Sequence, residues 1–134
     1  MSGVMEIRDG LRDRLKTIAG LIAHDVIPQV VVPPCAIVVP RRGSYEETMG
    51  RGGDPARYFF EIWLFAESGD FPSGQDFLDK LLAATSTGGV FGAIAADRTL
   101  GGRAITTFVD SFREYEVREY ANQQILTTKL DVEV

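Results

Sequence analysis

The sequence predicts an α+β fold: a mostly antiparallel sheet with an N-terminal helix and central helices packed on one face, plus a long exposed β-hairpin arm or loop. Three observations lead there. Helical periodicity is confined to the first 20 residues and to residues 73–96, while extended segments cluster before and after the second of these rather than alternating strictly with helices. The extended segments are short and rich in β-branched and aromatic residues. The 134 residues are 45% hydrophobic and 25% charged, the proportions of one globular domain, here 1–134.

Val4, Ile7, Leu11, Leu15 and Ile18 recur every three or four residues, with Arg8, Asp9, Arg12, Asp13, Arg14 and Lys16 between them. That spacing predicts an amphipathic helix closed by Gly20, with Asp9–Arg12 and Asp13–Lys16 pairs on a solvated face. From Leu21 to Pro40, β-branched stretches are cut by Pro28, Pro33, Pro34 and Pro40, which predicts two short strands near 21–25 and 35–39. Cys35-Ala36-Ile37-Val38-Val39 has no polar residue on either side and is expected to be covered on both faces. Residues 40–56, rich in charge and glycine, read as the exposed arm.

Tyr58, Phe60, Ile62 and Leu64 alternate with Phe59, Glu61, Trp63 and Phe65, so this strand has two apolar faces. Ser73-Gly74-Gln75-Asp76 resembles an N-terminal cap, and Phe77, Leu78, Leu81 and Leu82 supply the buried stripe of a second helix that ends before Gly88-Gly89. Val90–Ala96 reads as a short third helix. Residues 103–112, 114–120 and 124–134 read as extended, the last with clean alternation.

Lys and Arg number 14 against 19 Asp and Glu, a net charge of -5, which gives no whole-protein footprint for nucleic acid. Residues 61–80 carry five acidic groups against one basic, and residues 110–134 six against three, whereas residues 1–20 and 41–57 are each slightly basic. No run approaches the roughly 20 apolar residues of a membrane span, and residues 1–8 lack the apolar stretch of a secretory signal, so a soluble chain with no membrane partner is expected.

Little in the sequence points to catalysis, and no catalytic, metal-binding or cofactor-binding residue is assigned. One cysteine, Cys35, and one histidine, His24, exclude an intrachain disulfide and a zinc cluster. His24 and Asp25 point to opposite faces of a strand, and Cys35 sits among apolar neighbours as a small hydrophobe. Gly50, Gly52, Gly53, Gly101 and Gly102 match no phosphate loop and are read as turn residues. Glu114, Glu116 and Glu119 are divided between two faces and read as a solvated edge.

Two features ask for a partner. Phe59, Trp63 and Phe65 give the central strand its second apolar face, and the arm collects aromatic, Met and Arg side chains of the kind enriched in protein interfaces. Arg41, Arg42, Tyr45, Glu46, Thr48, Met49, Arg51 and Tyr58 are the candidate assembly contacts.

The order of motifs adds a resemblance. Ile7-Arg8-Asp9-Gly10-Leu11 in the first helix, Pro33-Pro34 before the apolar strand, Thr48-Met49-Gly50-Arg51-Gly52 in the arm, Ala96-Asp97-Arg98-Thr99-Leu100-Gly101-Gly102 after the third helix and the terminal Leu130-Asp131-Val132-Glu133-Val134 together resemble the tail terminator family of long-tailed phages that infect actinobacteria, whose members are also described as tail completion or head-tail connector proteins. The resemblance spans nearly the whole chain. It implies a homo-hexameric ring in the virion neck, assembled in the host cytoplasm. Such a ring caps the head-proximal end of the tail tube, ends its polymerisation and docks the head-closure or connector protein. It implies no catalysis and no cofactor. Six copies at -5 would carry -30, which motivates an acidic lumen through which genomic DNA passes without sequence-specific binding. Within that family pattern Asp97, Arg98, Thr99, Gly101 and Gly102 are expected to shape a helix-to-strand turn, with the glycines forming a tight cap and an Arg98–Asp97 contact as a brace. The alternatives are another neck component, such as a head-closure or adaptor protein, or a small-molecule-binding domain with a pocket between sheet and helices.

Overall fold

A computed structural model describes residues 4–18, 21–24, 34–44, 57–67, 71–83, 89–102, 106–120 and 123–134. The elements run α1 (Val4–Leu15), β1 (Ile22–His24), β2 (Cys35–Ser44), β3 (Arg57–Glu67), α2 (Phe71–Leu82), α3 (Val90–Ala95), β4 (Phe108–Tyr120) and β5 (Gln123–Glu133). The strands form one sheet in the order β1-β2-β3-β5-β4. The β1–β2 pair is parallel and the other three pairs are antiparallel. The fold is α+β, as the sequence predicts. Among the described residues no helix is long and apolar enough to cross a membrane.

One face of the sheet presents Ala36, Val38, Phe60, Ile62, Leu64, Leu126, Leu130 and Val132 to the helices, and these side chains share a core with Ile7, Leu11, Leu15, Leu78, Leu81, Val90 and Ile94. The α1 stripe is thus buried, although the α-helix stops at Leu15 and Ile18 reaches the core from a turn closed by its N–H to the Leu15 carbonyl. Val4 is the exception in the stripe, 36% exposed. Arg14 does not stay on the solvated face. Its Nε donates to the Ala93 carbonyl at 2.9 Å, tying α1 to α3, and Asp13 pairs with Arg12 at 3.2 Å.

Several boundaries differ from the sequence reading, each for a local reason. Strand β2 runs on through Pro40 to Ser44, because a register shift between Pro40 and Arg42 accommodates a residue that cannot donate to the ladder. Ser44 pairs with Arg57, so the base of the expected arm is a regular hairpin and only 45–56 lie outside the described residues. Helix α2 begins at Phe71, which places Ser73 within its first turn and not at a cap. Pro72 is tolerated there because first-turn N–H groups have no intrahelical acceptor. Residues 108–120 form one strand whose register with β5 shifts twice.

The turn after α3 is held by Asp97. Its Oδ1 accepts from the Thr99 N–H at 3.1 Å and the Thr99 hydroxyl at 2.5 Å, and its Oδ2 accepts from the Gly101 N–H at 2.9 Å. The hydroxyl first, then the backbone donors, hold its carboxyl below the ordinary value of 3.8. Leu100, Gly101 and Gly102 all take positive φ, and Leu100 is nevertheless buried in the core. The glycines therefore serve this turn and not a helix cap. Arg98 does not brace Asp97. Its guanidinium donates to the Thr107 carbonyl at 2.8 Å and lies 5.7 and 5.6 Å from the ring centroids of Phe91 and Phe108.

Candidate assembly interface

The second face of the sheet has two halves. Near the start of β2, Cys35, Ile37, Phe65 and Ile125 form a separate buried cluster against which Val39 and Trp63 pack. The apolar second face read from Phe59, Trp63 and Phe65 is therefore closed at this end. Cys35 is fully buried and forms no disulfide. The indole Nε1 of Trp63 is also buried and meets no acceptor among the described residues, while the Lys129 ammonium lies 5.0 Å from the ring centroid.

Beyond Trp63 the same face becomes charged. Strand pairing puts Glu61 directly opposite Asp131 and Arg113 directly opposite Lys129, two like-charge pairs that would each be unfavourable alone. They neutralise one another in a lattice. Arg113 reaches Asp131 through Nε at 3.0 Å and also contacts Glu61, and Arg41 approaches Asp131 at 3.3 Å from β2. Glu114 answers the basic pair, 2.9 Å from both Arg113 and Lys129. It can do so because it sits at φ 57 in a bulge of β4, a conformation that costs a non-glycine residue on the order of 1 kcal/mol. The lattice joins all four antiparallel-paired strands through side chains that no local sequence pattern connects.

At the hairpin base, Arg42 stacks over Phe59 with its guanidinium carbon 4.1 Å from the ring centroid. Arg41 and Arg42 flank an open groove of about 160 Å³ lined by Val4, Pro40, Gly43 and Phe59, with Tyr58 and Phe60 also contributing. This volume is below the roughly 300–1,000 Å³ of small-molecule sites. Tyr58 does not stand on the surface. It is 4% exposed, tilted against Phe60 at 6.1 Å, and its backbone exchanges hydrogen bonds with Val134. Of the candidate contacts, the structure brings Arg41, Arg42 and Tyr58 around one groove; Tyr45, Glu46, Thr48, Met49 and Arg51 lie outside the described residues.

Nothing in the sequence pattern singles out the far edge of the sheet. Strand β4 is outermost and 13 residues long, and it carries Phe108, Phe112 and Val117 at 53%, 53% and 46% exposure. The opposite edge, β1, has three residues. Tyr115 instead turns inward, its hydroxyl donating to Asp79 of α2 at 2.8 Å. Among the described residues no group of three His, Cys, Asp or Glu side chains is placed to hold a metal ion. No protein-family model matches the chain, and no curated protein matches it.

Proposed function

We propose that the chain is a structural subunit of a phage neck: a tail terminator that assembles as a hexameric ring on the head-proximal end of the tail tube, stops its growth and joins the tail to the head connector. The observation that carries the reading is the β2–β3 hairpin. Its paired base, closed by Ser44 opposite Arg57, sets Arg41 and Arg42 beside an apolar groove, and the sequence between those two strands adds Tyr45, Met49 and Arg51 to this interface-type set. The resemblance of the motif order to tail terminators supports the same reading, as does a fold built of one sheet backed by helices. The protein acts without catalysis or cofactor, and its partners are further copies of itself, the tube protein and the head-closure protein.

Native mass spectrometry of the purified chain with and without its tail tubes, followed by negative-stain imaging, tests this directly. Six-subunit caps at tube ends are expected; a chain that ignores tubes and binds connector rings belongs to another neck component. Double replacement of Arg41 and Arg51 by Ala leaves the monomer folded and impairs capping. A normal particle yield from that variant removes the arm from the interface.

A further inference from the structure

We infer that copies of this chain join head to tail across the sheet, the α1–β1 edge of one seated against the β4 edge of the next; the inference rests on the ring reading above and names its subunit contact. The placement of exposed apolar side chains is the first reason. Among the described residues, the large hydrophobic side chains that stand exposed are Val4, Met5 and Ile22 on one side and Phe108, Phe112 and Val117 on the other. Helix α1 packs on β1 and β2, and β1 and β4 are the outermost strands, so these residues divide between opposite edges of the sheet.

Strand register is the second reason. Ile22, Cys35, Phe65, Thr127 and Glu116 form one row across all five strands, so Ile22 at one edge stands level with Glu116, the neighbour of Val117, at the other. Arg42, Phe59, Glu133 and Phe108 form a second row, so the groove lined by Val4 and Arg42 stands level with Phe108. A second copy set alongside, with no displacement along the strands, therefore brings Ile22 to Val117 and Val4 to Phe108 at once. Charge selects the same alignment. Beside Val4 lie the exposed Arg41 and Arg42, against the single exposed carboxylate of Glu6 in the first turn of α1. Beside Phe108 and Val117 lie the exposed carboxylates Asp110 and Glu116, while Arg98 is turned to the Thr107 carbonyl and to the rings of Phe91 and Phe108. Arg41 and Asp110 each occupy a register shift, one between Pro40 and Arg42 and the other between Val109 and Ser111, at nearly the same height in the sheet. Joining like edges would set arginines against arginines or carboxylates against carboxylates; joining unlike edges sets opposite charges together. Such a contact uses two different surfaces, repeats from copy to copy and closes into a ring when each step includes a rotation.

The test is cross-linking of Ile22→Cys/Val117→Cys in the full chain with a short thiol-reactive reagent, free and on tail-tube ends, read on denaturing gels. The controls are the two single variants, the wild type with its buried Cys35, and Ile22→Cys/Phe108→Cys, whose rows lie roughly 20 Å apart along the strands. A ladder of dimers, trimers and higher species from the 22/117 pair alone is expected, because position 22 meets position 117 of the next copy and never itself. A charge exchange in that background provides the second arm: Arg41→Glu and Asp110→Arg each cut the ladder roughly fivefold or more, and both together restore it to within about twofold. Far-UV circular dichroism confirms that each variant is folded. Dimers from either single variant, an equal ladder from the 22/108 pair, no ladder free or on tubes, or a charge exchange no better than its single changes overturns the contact. Six-subunit caps without the ladder remove this contact and leave the neck reading standing; a ladder from a chain that ignores tubes does the reverse.

Discussion

Burial, followed by the Asp79 carboxylate 2.8 Å away, raises the Tyr115 hydroxyl from 10.0 to about 12. A phenol whose folded value is raised contributes stability in full below pH 10, and loses it as pH climbs through 12. Tyr115→Phe should therefore cost about 1 kcal/mol at pH 8, at the low end for a hydrogen bond to a charged group because the pair is partly solvated. The gap to wild type should close between pH 10 and 12 in urea titrations. The charged lattice makes a second residue-scale prediction. Arg113 is the group that keeps Glu61 and Asp131, 14% and 18% exposed, from repelling one another. Arg113→Ala should cost about 1–2 kcal/mol, less than a fully buried pair because the guanidinium retains contact with water. Arg113→Lys should recover only part of that in denaturant melts, since one ammonium cannot reproduce the planar fork that meets Asp131, Glu61 and Glu114.

At the level of elements, the close approach of α2 and α3 rests on Gly89. A Cβ there would stand 2.9, 3.0 and 3.1 Å from the carbonyl oxygens of Lys80, Ala83 and Leu81, all backbone atoms that end α2. Gly89→Ala should cost about 1–3 kcal/mol, seen as a lower midpoint in thermal denaturation, because one of the two helices must move away. The elements also show where the sequence can be read and where it cannot. In β3 and β5 the two-residue alternation is unbroken, so both strands are legible from hydrophobic pattern alone. In β4 the residues facing the helices, Val109, Phe112, Tyr115 and Val117, are spaced by three, three and two, because each bulge inserts a residue and reverses the parity of the rest of the strand. Such spacing divides one strand into two apparent segments and hides its apolar edge. Helix α2 reads short in the sequence because Ser73-Gly74-Gln75-Asp76 has the residue types of an N-terminal cap, whereas the helix already begins at Phe71. The lattice of Arg41, Glu61, Arg113 and Asp131 is invisible there for another reason: it depends on cross-strand register between residues up to 90 positions apart.

On the scale of the whole molecule, the sheet has one edge of three residues and one of thirteen, and the hairpin base lies between them on β2 and β3. That asymmetry separates two kinds of surface. The hairpin base offers arginine side chains, Arg41 and Arg42, while the long β4 edge carries the exposed apolar side chains Phe108, Phe112 and Val117. Strand order adds a kinetic expectation. The central β3–β5 pairing joins strands separated in sequence by two helices and β4, and stopped-flow refolding should fall in the range of milliseconds to seconds, slower than the microseconds reached by helical bundles.

The placement of β5 between β3 and β4 bears on how the protein is made. During synthesis β3, with Tyr58, Phe60, Ile62 and Leu64 along one side, leaves the ribosome more than fifty residues before the strand that completes its pairing. Until residues 123–133 emerge, that apolar strand has one open edge and β4 has no neighbour, so the interval between them is when the nascent chain is most exposed to aggregation. A chain interrupted after Tyr120 would keep every helix and four of the five strands in its sequence, yet it would lack the one strand that joins them into a single sheet.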